Sequence, residues 1–462
     1  MNQSLSSQST AQLSARLKCR LIKPGDNDYD EARAIFLGGF DCRPALIARP
    51  RDASDVAEVV LVARESGVAL AVRSGGHSGA GHSTVDGGIV LDLRDLKALD
   101  IDPIGRTAWA ETGLSAAEYT AAAGRHGLAT GFGDTGSVGI GGITLSGGIG
   151  YLVRKHGLTI DNVLAAEVVT ADGEVLHVDA SSHPELFWAI RGGGGNFGVV
   201  PRFCYQLHPV DGVLGGMLLL PATEDVIAGA IEIAAAAPEE LSLIGNVMPA
   251  PPLPFVPAPV HGQLVMMILL CYAGDADAGA RIIAPLRALA KPIADLVRPM
   301  RYPEIYPPDD PSYHPKAIGK TLFIDRVDRG TASTILDHLH QSDASVRVAQ
   351  IRALGGAAAR VSNDETAFAH RGQRMLVNVA SFYDGPEDRP RRAAWVKTFA
   401  AALDQGRPGA YVGFVGDEGE AGVQAAYPGA TRDRLAAIKA RYDPANLFRR
   451  NQNIPPAVVG TT

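Results

Sequence analysis

Apolar residues recur at helical spacing through Val56, Val59, Val60 and Ala63, behind Ala48-Arg-Pro50 and an acidic opening, Asp52-Ala-Ser-Asp55. That pattern predicts a helix with one buried face. Ala69–Val72 reads as a short strand running straight into Ser74-Gly-Gly-His, and Ile89–Leu93 as a second strand after the turn Asp86-Gly-Gly. Ser115-Ala-Ala-Glu118 is a capping box and opens a helix to about His126. Val163–Thr170 and Glu174–Val178 are strand-like runs joined at Asp172-Gly173, a hairpin signal. Ser182-His-Pro-Glu185 caps a further helix, with proline in its first turn, that stops at Gly192–Gly195. Residues 1–30 are polar and read as a short helix plus a tail.

The texture changes after Leu207-His-Pro. Residues 213–408 alternate strands with Ala-rich helices, broken by a Pro-rich interval (Pro249–Val260) and a Tyr/Pro-rich loop (Arg301–Pro315). This predicts a second α+β unit that supplies a lid and a substrate pocket. The apolar run Leu264–Cys271 is far short of the about 20 residues needed to cross a bilayer and reads as a buried strand. The end of the chain becomes motif-like again, with Tyr411-Val-Gly-Phe, Gly416-Asp-Glu-Gly and the run from Arg441 to Ile454. No internal repeat or low-complexity tract interrupts the order.

Composition narrows the classes. At 462 residues the chain can hold two cores, and a formal net charge of −7 argues against nucleic acid or an anionic membrane surface as a partner. Cys19, Cys42, Cys204 and Cys271 form no CxxC pair, so neither a zinc site nor a disulfide framework is expected, and no histidine pairing marks a metal. The N-terminus MNQSLSSQSTAQLSARLK lacks an apolar core and is not read as a secretory signal. A cytoplasmic enzyme acting on a small molecule is the expectation.

Chemistry concentrates in Gly131–Tyr151, GFGDTGSVGIGGITLSGGIGY, where nine glycines accompany a single charged residue, Asp134. Glycine lets backbone N–H groups approach a ligand closely, which suggests a pyrophosphate-bearing cofactor. GxGxxG occurs at Gly131–Gly136 and at Gly193–Gly198. The first lacks a preceding strand, and the glycines after it disfavour an immediate helix. The second follows a helix, so a nicotinamide βαβ unit fits neither. His77, in Arg73-Ser-Gly-Gly-His-Ser, follows a strand between glycines and could be held against the cofactor. His82 in Gly81-His-Ser has the weaker claim.

Taken in order, ALIARP, AVRSGGHS, GGIVLDL, the Gly131–Tyr151 loop, YLVRKHGLTIDNV, HPELFWAIRGGGGNFGVV and RYDPANLFRRNQNI resemble the berberine-bridge-enzyme-like branch of the vanillyl-alcohol-oxidase/PCMH flavoproteins. The likeness runs over about 40–212 and returns over 409–456. It implies an α+β fold: a PCMH-type, two-subdomain FAD-binding domain over 41–212 and a substrate domain with a large antiparallel sheet over 213–408. A segment at 409–462 would return to the flavin domain, and residues 1–40 would pack on it. It implies FAD along Arg73, Ser74, Gly75, Gly76, His77 and Ser78, the loop positions Thr135, Gly136, Ser137, Val138, Gly139, Gly141 and Gly142, then Ser146, Gly147, Gly148, Gly150 and Tyr151. Gly198, Val199, Val200 and Asn453 complete the set.

His77 matches the family histidine bonded to the flavin 8α carbon, and a neutral imidazole is a competent nucleophile. Thr135 stands where many members carry a second, cysteinyl link, so attachment through His77 alone is expected. Val138 matches a position where a small side chain accompanies oxygen access. Ile143 and Ile149 replace polar or aromatic residues, and Gly413 replaces an asparagine. Gln350 falls where members place a base, and an amide cannot act as one, so Tyr411 is the first candidate; packing alone would equally account for it. Arg352, His370 and Tyr383 are further possible pocket residues. The leading reading is an oxidase that passes hydride from a small alcohol, amine or phenolic metabolite to flavin N5 and electrons to O2, with H2O2 as product. A dehydrogenase of the same fold, a flavoprotein without redox turnover and a nicotinamide dehydrogenase are the alternatives. Oligomeric state is left open.

Overall fold

The computed structural model describes residues 15–210 and 212–458, so most of the expected N-terminal tail lies outside the described residues. Three sheets carry the architecture. The first orders its strands Arg20–Ile22, Leu46–Arg49, Ile89–Asp92 and Leu70–Arg73; the outer pair is antiparallel and the rest parallel. Parallel strands need crossovers, and the helix Ala53–Ser66 supplies one, with its valines fully buried against this sheet. Asp52 caps it by accepting from the Asp55 backbone N–H, and Gly67 ends it at φ 68°, in the left-handed region that favours glycine.

The second sheet is antiparallel, in the order Leu99–Asp102, Thr107–Glu111, Val199–Gln206, Val163–Val169, Val175–Asp179. The predicted hairpin is present, one residue later on its return strand. The capping box at Ser115 and Glu118 forms with both reciprocal bonds, and the helix Ala116–Ala123 tightens to a 3₁₀ turn through His126. Two local expectations need correction. Ser182 does not cap the following helix: its hydroxyl donates to the His177 carbonyl, and His183, at φ 52°, precedes Pro184–Ile190. The glycine loop does hold a helix, Ile140–Ser146. Gly141 is needed for packing, because a Cβ there would stand 2.7 Å from the Thr112 Cβ.

The third sheet is the large antiparallel one. Its main path runs Ala294–Asp295, Val213–Pro221, Leu264–Tyr272, Leu241–Pro249, Arg347–Ala353, Met375–Phe382, Ala317–Ile324. The helices Glu224–Ala236, Ala276–Ala288, Arg329–Gln341 and Arg389–Ala402 close one face over a core of Leu243, Val247, Met266, Ile268, Ile351 and Val377. Alternation sends the intervening residues to the opposite face, above the glycine loop. Among the described residues no helix is long and apolar enough to cross a membrane, and the four cysteines are unpaired.

The C-terminal segment is tied down by a buried ion pair. Lys439 and Asp443 are both 0% exposed; the ammonium donates to Asp443 Oδ2 at 2.5 Å and to the carbonyls of Asn196 (2.7 Å) and Phe448 (2.9 Å). Asp443 also accepts from the backbone N–H groups of Leu447 and Phe448. Each charge is therefore fully partnered, and removing one strands the other. Lys439→Met is expected to cost about 3–5 kcal/mol in urea-unfolding experiments; a change below about 1 kcal/mol would show that the clamp carries little.

Candidate active site

A cavity of about 440 Å³ lies between the glycine loops and the open face of the large sheet. Its walls include Ser74, Gly75, Gly76, His77, Ser78, Thr135, Val138, Gly139, Gly141, Gly142, Ser146, Gly198, Val199, Val200 and Tyr411. Residues scattered over more than 300 positions thus meet at one site. Across from them, Ala317, Gly319, Asn378 and Ala380 form the roof, and Val412–Gly416 with Arg450–Gln452 close an end.

Two loops build the floor. The loop after Leu70–Arg73 meets the Thr135–Gly139 turn as bare backbone: a Cβ on Gly75 would fall 2.2 Å from the Gly139 nitrogen, and one on Gly139 would fall 2.1 Å from the Gly75 nitrogen. Among the described residues, no group accepts from the backbone N–H of Gly75, Gly76, His77, Ser78 or Gly79. Gly141 and Gly142, in the first turn of Ile140–Ser146, donate none either, and a Cβ on Gly142 would meet nothing within 4 Å. Unpaired N–H groups on a cavity wall form a cradle for phosphate oxygens. Beside the end wall, Asn451 Oδ1 and Asn453 Oδ1 are buried without partners. The residues present fit a dinucleotide.

Burial pushes the His77 imidazole down to about 4, against the opposing pull of Asp309 and the Ser137 backbone. The ring is therefore neutral at pH 7. His82 lies on the same wall and is also lowered to about 4, by burial and then by Arg450.

The roof carries a cross-strand row of uncharged polar residues: Asn246 faces Gln350, Gln350 faces Asn378, and Asn378 faces Thr321 in register. Gln350 Nε2 donates to Asn246 Oδ1 at 2.9 Å, and its Oε1 accepts from Arg352 Nη2 at 2.6 Å. Arg352 is 3% exposed; it reaches across the cavity edge to Asp134 at 2.7 Å and lies 5.1 Å over the Phe414 ring. The one charge in the glycine loop is thus neutralised from the roof. Tyr411 is buried, and its Oη accepts from the Gly148 N–H at 3.1 Å. Burial raises its phenol, so it stands protonated at neutral pH.

Several expected residues lie behind the walls rather than on them. Arg73 is 1% exposed and bonds Asp92 (3.0 Å) and the Ala32 carbonyl (2.6 Å), because a buried guanidinium requires a carboxylate. It supports the His77 loop and does not face the cavity. Gly136 packs under Tyr306, and Ser137 backs His77. Gly147 and Gly148 have φ of 121° and 81°, and Gly148 holds Tyr411. Gly150 abuts the Phe132 carbonyl, and Tyr151 packs on Tyr306 with ring centroids 6.3 Å apart. Gln350 is engaged within the roof network. His370 bonds the Ala425 and Ala426 carbonyls and Tyr383 packs by Gly39, so neither joins the wall. Sequence reasoning missed Asn246, Asn378 and Thr321. Polar residues interrupting each otherwise apolar strand were the available signal.

Residues 44–179 match the FAD binding domain family, and 410–455 the berberine and berberine-like family. The chain is 32% identical over 453 residues to (R)-6-hydroxynicotine oxidase of Paenarthrobacter nicotinovorans, covering 94% of this chain and 96% of that one. It is 29% identical over 454 residues to xylooligosaccharide oxidase of Thermothelomyces thermophilus, covering 90% and 88%. The crystal structure of 6-hydroxy-D-nicotine oxidase from Arthrobacter nicotinovorans matches with a TM-score of 0.85 at 28% identity, covering 96% of this chain and 98% of that one. Fold and cavity together define a flavin-dependent oxidoreductase. The chain belongs to the berberine-bridge-enzyme-like family of FAD-linked oxidoreductases, and FAD is its cofactor.

His77, His82 and His156 are each lowered to about 4, with burial the first cause. The unfolded chain takes up protons as pH falls through about 6.5, whereas the folded sites resist until about 4. Their stability contribution is complete above that window and is lost as the pH falls through it. The melting temperature is expected to drop steadily between about pH 7 and pH 5, and less steeply in a His82→Gln, His156→Gln double variant. A flat profile would contradict the burial of these rings.

Proposed function

We propose that the chain is an FAD-dependent oxidase acting on a C–H bond of a small alcohol, amine or phenolic metabolite, with its flavin attached through His77 alone. The observation that carries this reading is one wall holding both an uncharged histidine and a run of free backbone N–H groups. The N–H groups of Gly75–Gly79 and of Gly141–Gly142 would hold the pyrophosphate, with Asn451 and Asn453 offering acceptors at the end wall. Bound FAD supplies a two-electron acceptor for the substrate's hydride and hands the electrons to O2, giving H2O2.

His77 contributes a ring nitrogen with a free lone pair at neutral pH. Attachment would replace the imidazole N–H and one 8α C–H of the flavin by a C–N bond, with O2 taking up the two hydrogens as H2O2. Thr135, at the position of the second link in other members, offers only a weakly nucleophilic hydroxyl. Asn378 lines the roof and would orient a polar substrate group. Tyr411, fixed by Gly148 on the cavity wall, would hold a proton at its Oη. The Asp134–Arg352 pair leaves the roof without net charge, so a substrate would enter as an uncharged species. Oxidase chemistry is also supported by the two named relatives, one acting on a hydroxynicotine and one on xylooligosaccharides.

The purified yellow protein, offered a panel of small alcohols, amines and phenols, is expected to bleach anaerobically with at least one of them. On readmission of air it should form one H2O2 per O2 consumed, and Tyr411→Phe should lower kcat by about 10²-fold with FAD content unchanged. Bleaching without reoxidation by air would assign a dehydrogenase, and no bleaching with any compound would assign a flavoprotein without turnover.

A further inference from the structure

The His77 ring is held on its face by a residue from an otherwise unrelated part of the chain. Phe36 stacks on it with centroids 4.0 Å apart and planes 14° from parallel, and Tyr313 closes edge-on against Phe36 at 6.2 Å. Phe36 is itself pinned. Its backbone N–H donates to the Gly76 carbonyl at 3.2 Å, which ties the stack to the His77 loop. His314 Nδ1 lies 2.9 Å from the Ile35 carbonyl and 3.3 Å from that of Phe36, and the Gly38 N–H donates to Pro315 at 3.1 Å. A Cβ on Gly38 would stand 2.5 Å from the His314 carbonyl oxygen, so the two segments meet with no room to spare.

A face stack fixes the plane of an imidazole without using its edge, where one His77 nitrogen lies against the Ser137 backbone and the other keeps its lone pair free. Without it, the ring turns about its broad terminal torsion, and the lone pair points at the 8α carbon only part of the time. We propose that Phe36 is a positioning residue for flavin attachment, holding the His77 edge toward the carbon that it bonds. This rests on the reading of His77 as the attachment site. The step is the one balanced above: one C–H and the imidazole N–H are replaced by C–N, and O2 leaves as H2O2. Phe36 contributes alignment and takes no part in the bond changes.

The test measures how flavin divides between acid-precipitated pellet and supernatant in holoprotein carrying Phe36→Ala, Phe36→Leu or Phe36→Tyr, beside wild type and His77→Ala. Wild type should retain its flavin in the pellet and His77→Ala should not. Phe36→Ala should bind as much total flavin as wild type and melt within a few degrees of it, while its pellet fraction, sampled early after addition of FAD in air, falls about tenfold. Phe36→Tyr should restore attachment, because it restores the stack. Phe36→Leu, which keeps apolar bulk without a ring, should not, and it decides the matter if the alanine variant fails to fold. Equal attachment in wild type and Phe36→Leu would overturn the role of Phe36 and leave the His77 reading intact. A colourless wild-type pellet would overturn the His77 reading itself, and the proposal with it.

Discussion

Gly75 and Gly139 can face each other only because neither has a side chain: a Cβ on either would lie within 2.2 Å of the other's nitrogen. No repacking of neighbours relieves a clash with backbone, so this approach sets the spacing of the whole floor. It brings the His77 loop against the Thr135–Gly139 turn and turns unpaired N–H groups toward one cavity. Ser74 reinforces the contact by donating to the Thr112 carbonyl at 2.5 Å.

Charge is handled by pairing inside the protein. Asp92 takes Arg73, Asp161 takes Arg371, Asp443 takes Lys439 and Asp134 takes Arg352, each with one or both partners buried. Removing one partner from such a pair is costly, so the pairs act as fixed joints. Three join elements distant in sequence: Arg371 to Asp161 and Arg352 to Asp134 tie the large sheet and its return loop to the glycine-rich half, and Lys439, bonding Asn196, ties the C-terminal helix to it. What remains on the roof is uncharged, and the histidines on the floor are neutral.

Local features were legible because their causes are local. The acidic opening turn at Asp52–Asp55, the Ser115–Glu118 box and the Asp172-Gly173 turn depend on neighbours within four residues, and each appears where the pattern places it. The helix Ile140–Ser146 was hidden because glycine argues against helix locally, while tertiary packing on Thr112 requires it. Ser182 failed as a cap because the helix starts one residue later than the pattern implies: His183, at φ 52°, takes the cap position, and the Ser182 hydroxyl donates to the His177 carbonyl. Family motifs located the cavity wall but could not separate Arg73, which supports the wall, from Gly76, which lies on it. The roof was out of reach for another reason. Gln350 was placed by the family motif, but Asn246, Thr321 and Asn378 lie on three further strands whose register no local pattern specifies.

The claim on which the account turns is a bond between His77 and the flavin. Mass spectrometry of the denatured, extensively washed holoprotein tests it most directly, followed by proteolysis to place any added mass. The account predicts a chain heavier than its sequence by one FAD less two hydrogens, with the addition confined to the peptide that contains His77. A bare chain mass, or an adduct on any other peptide, would contradict it.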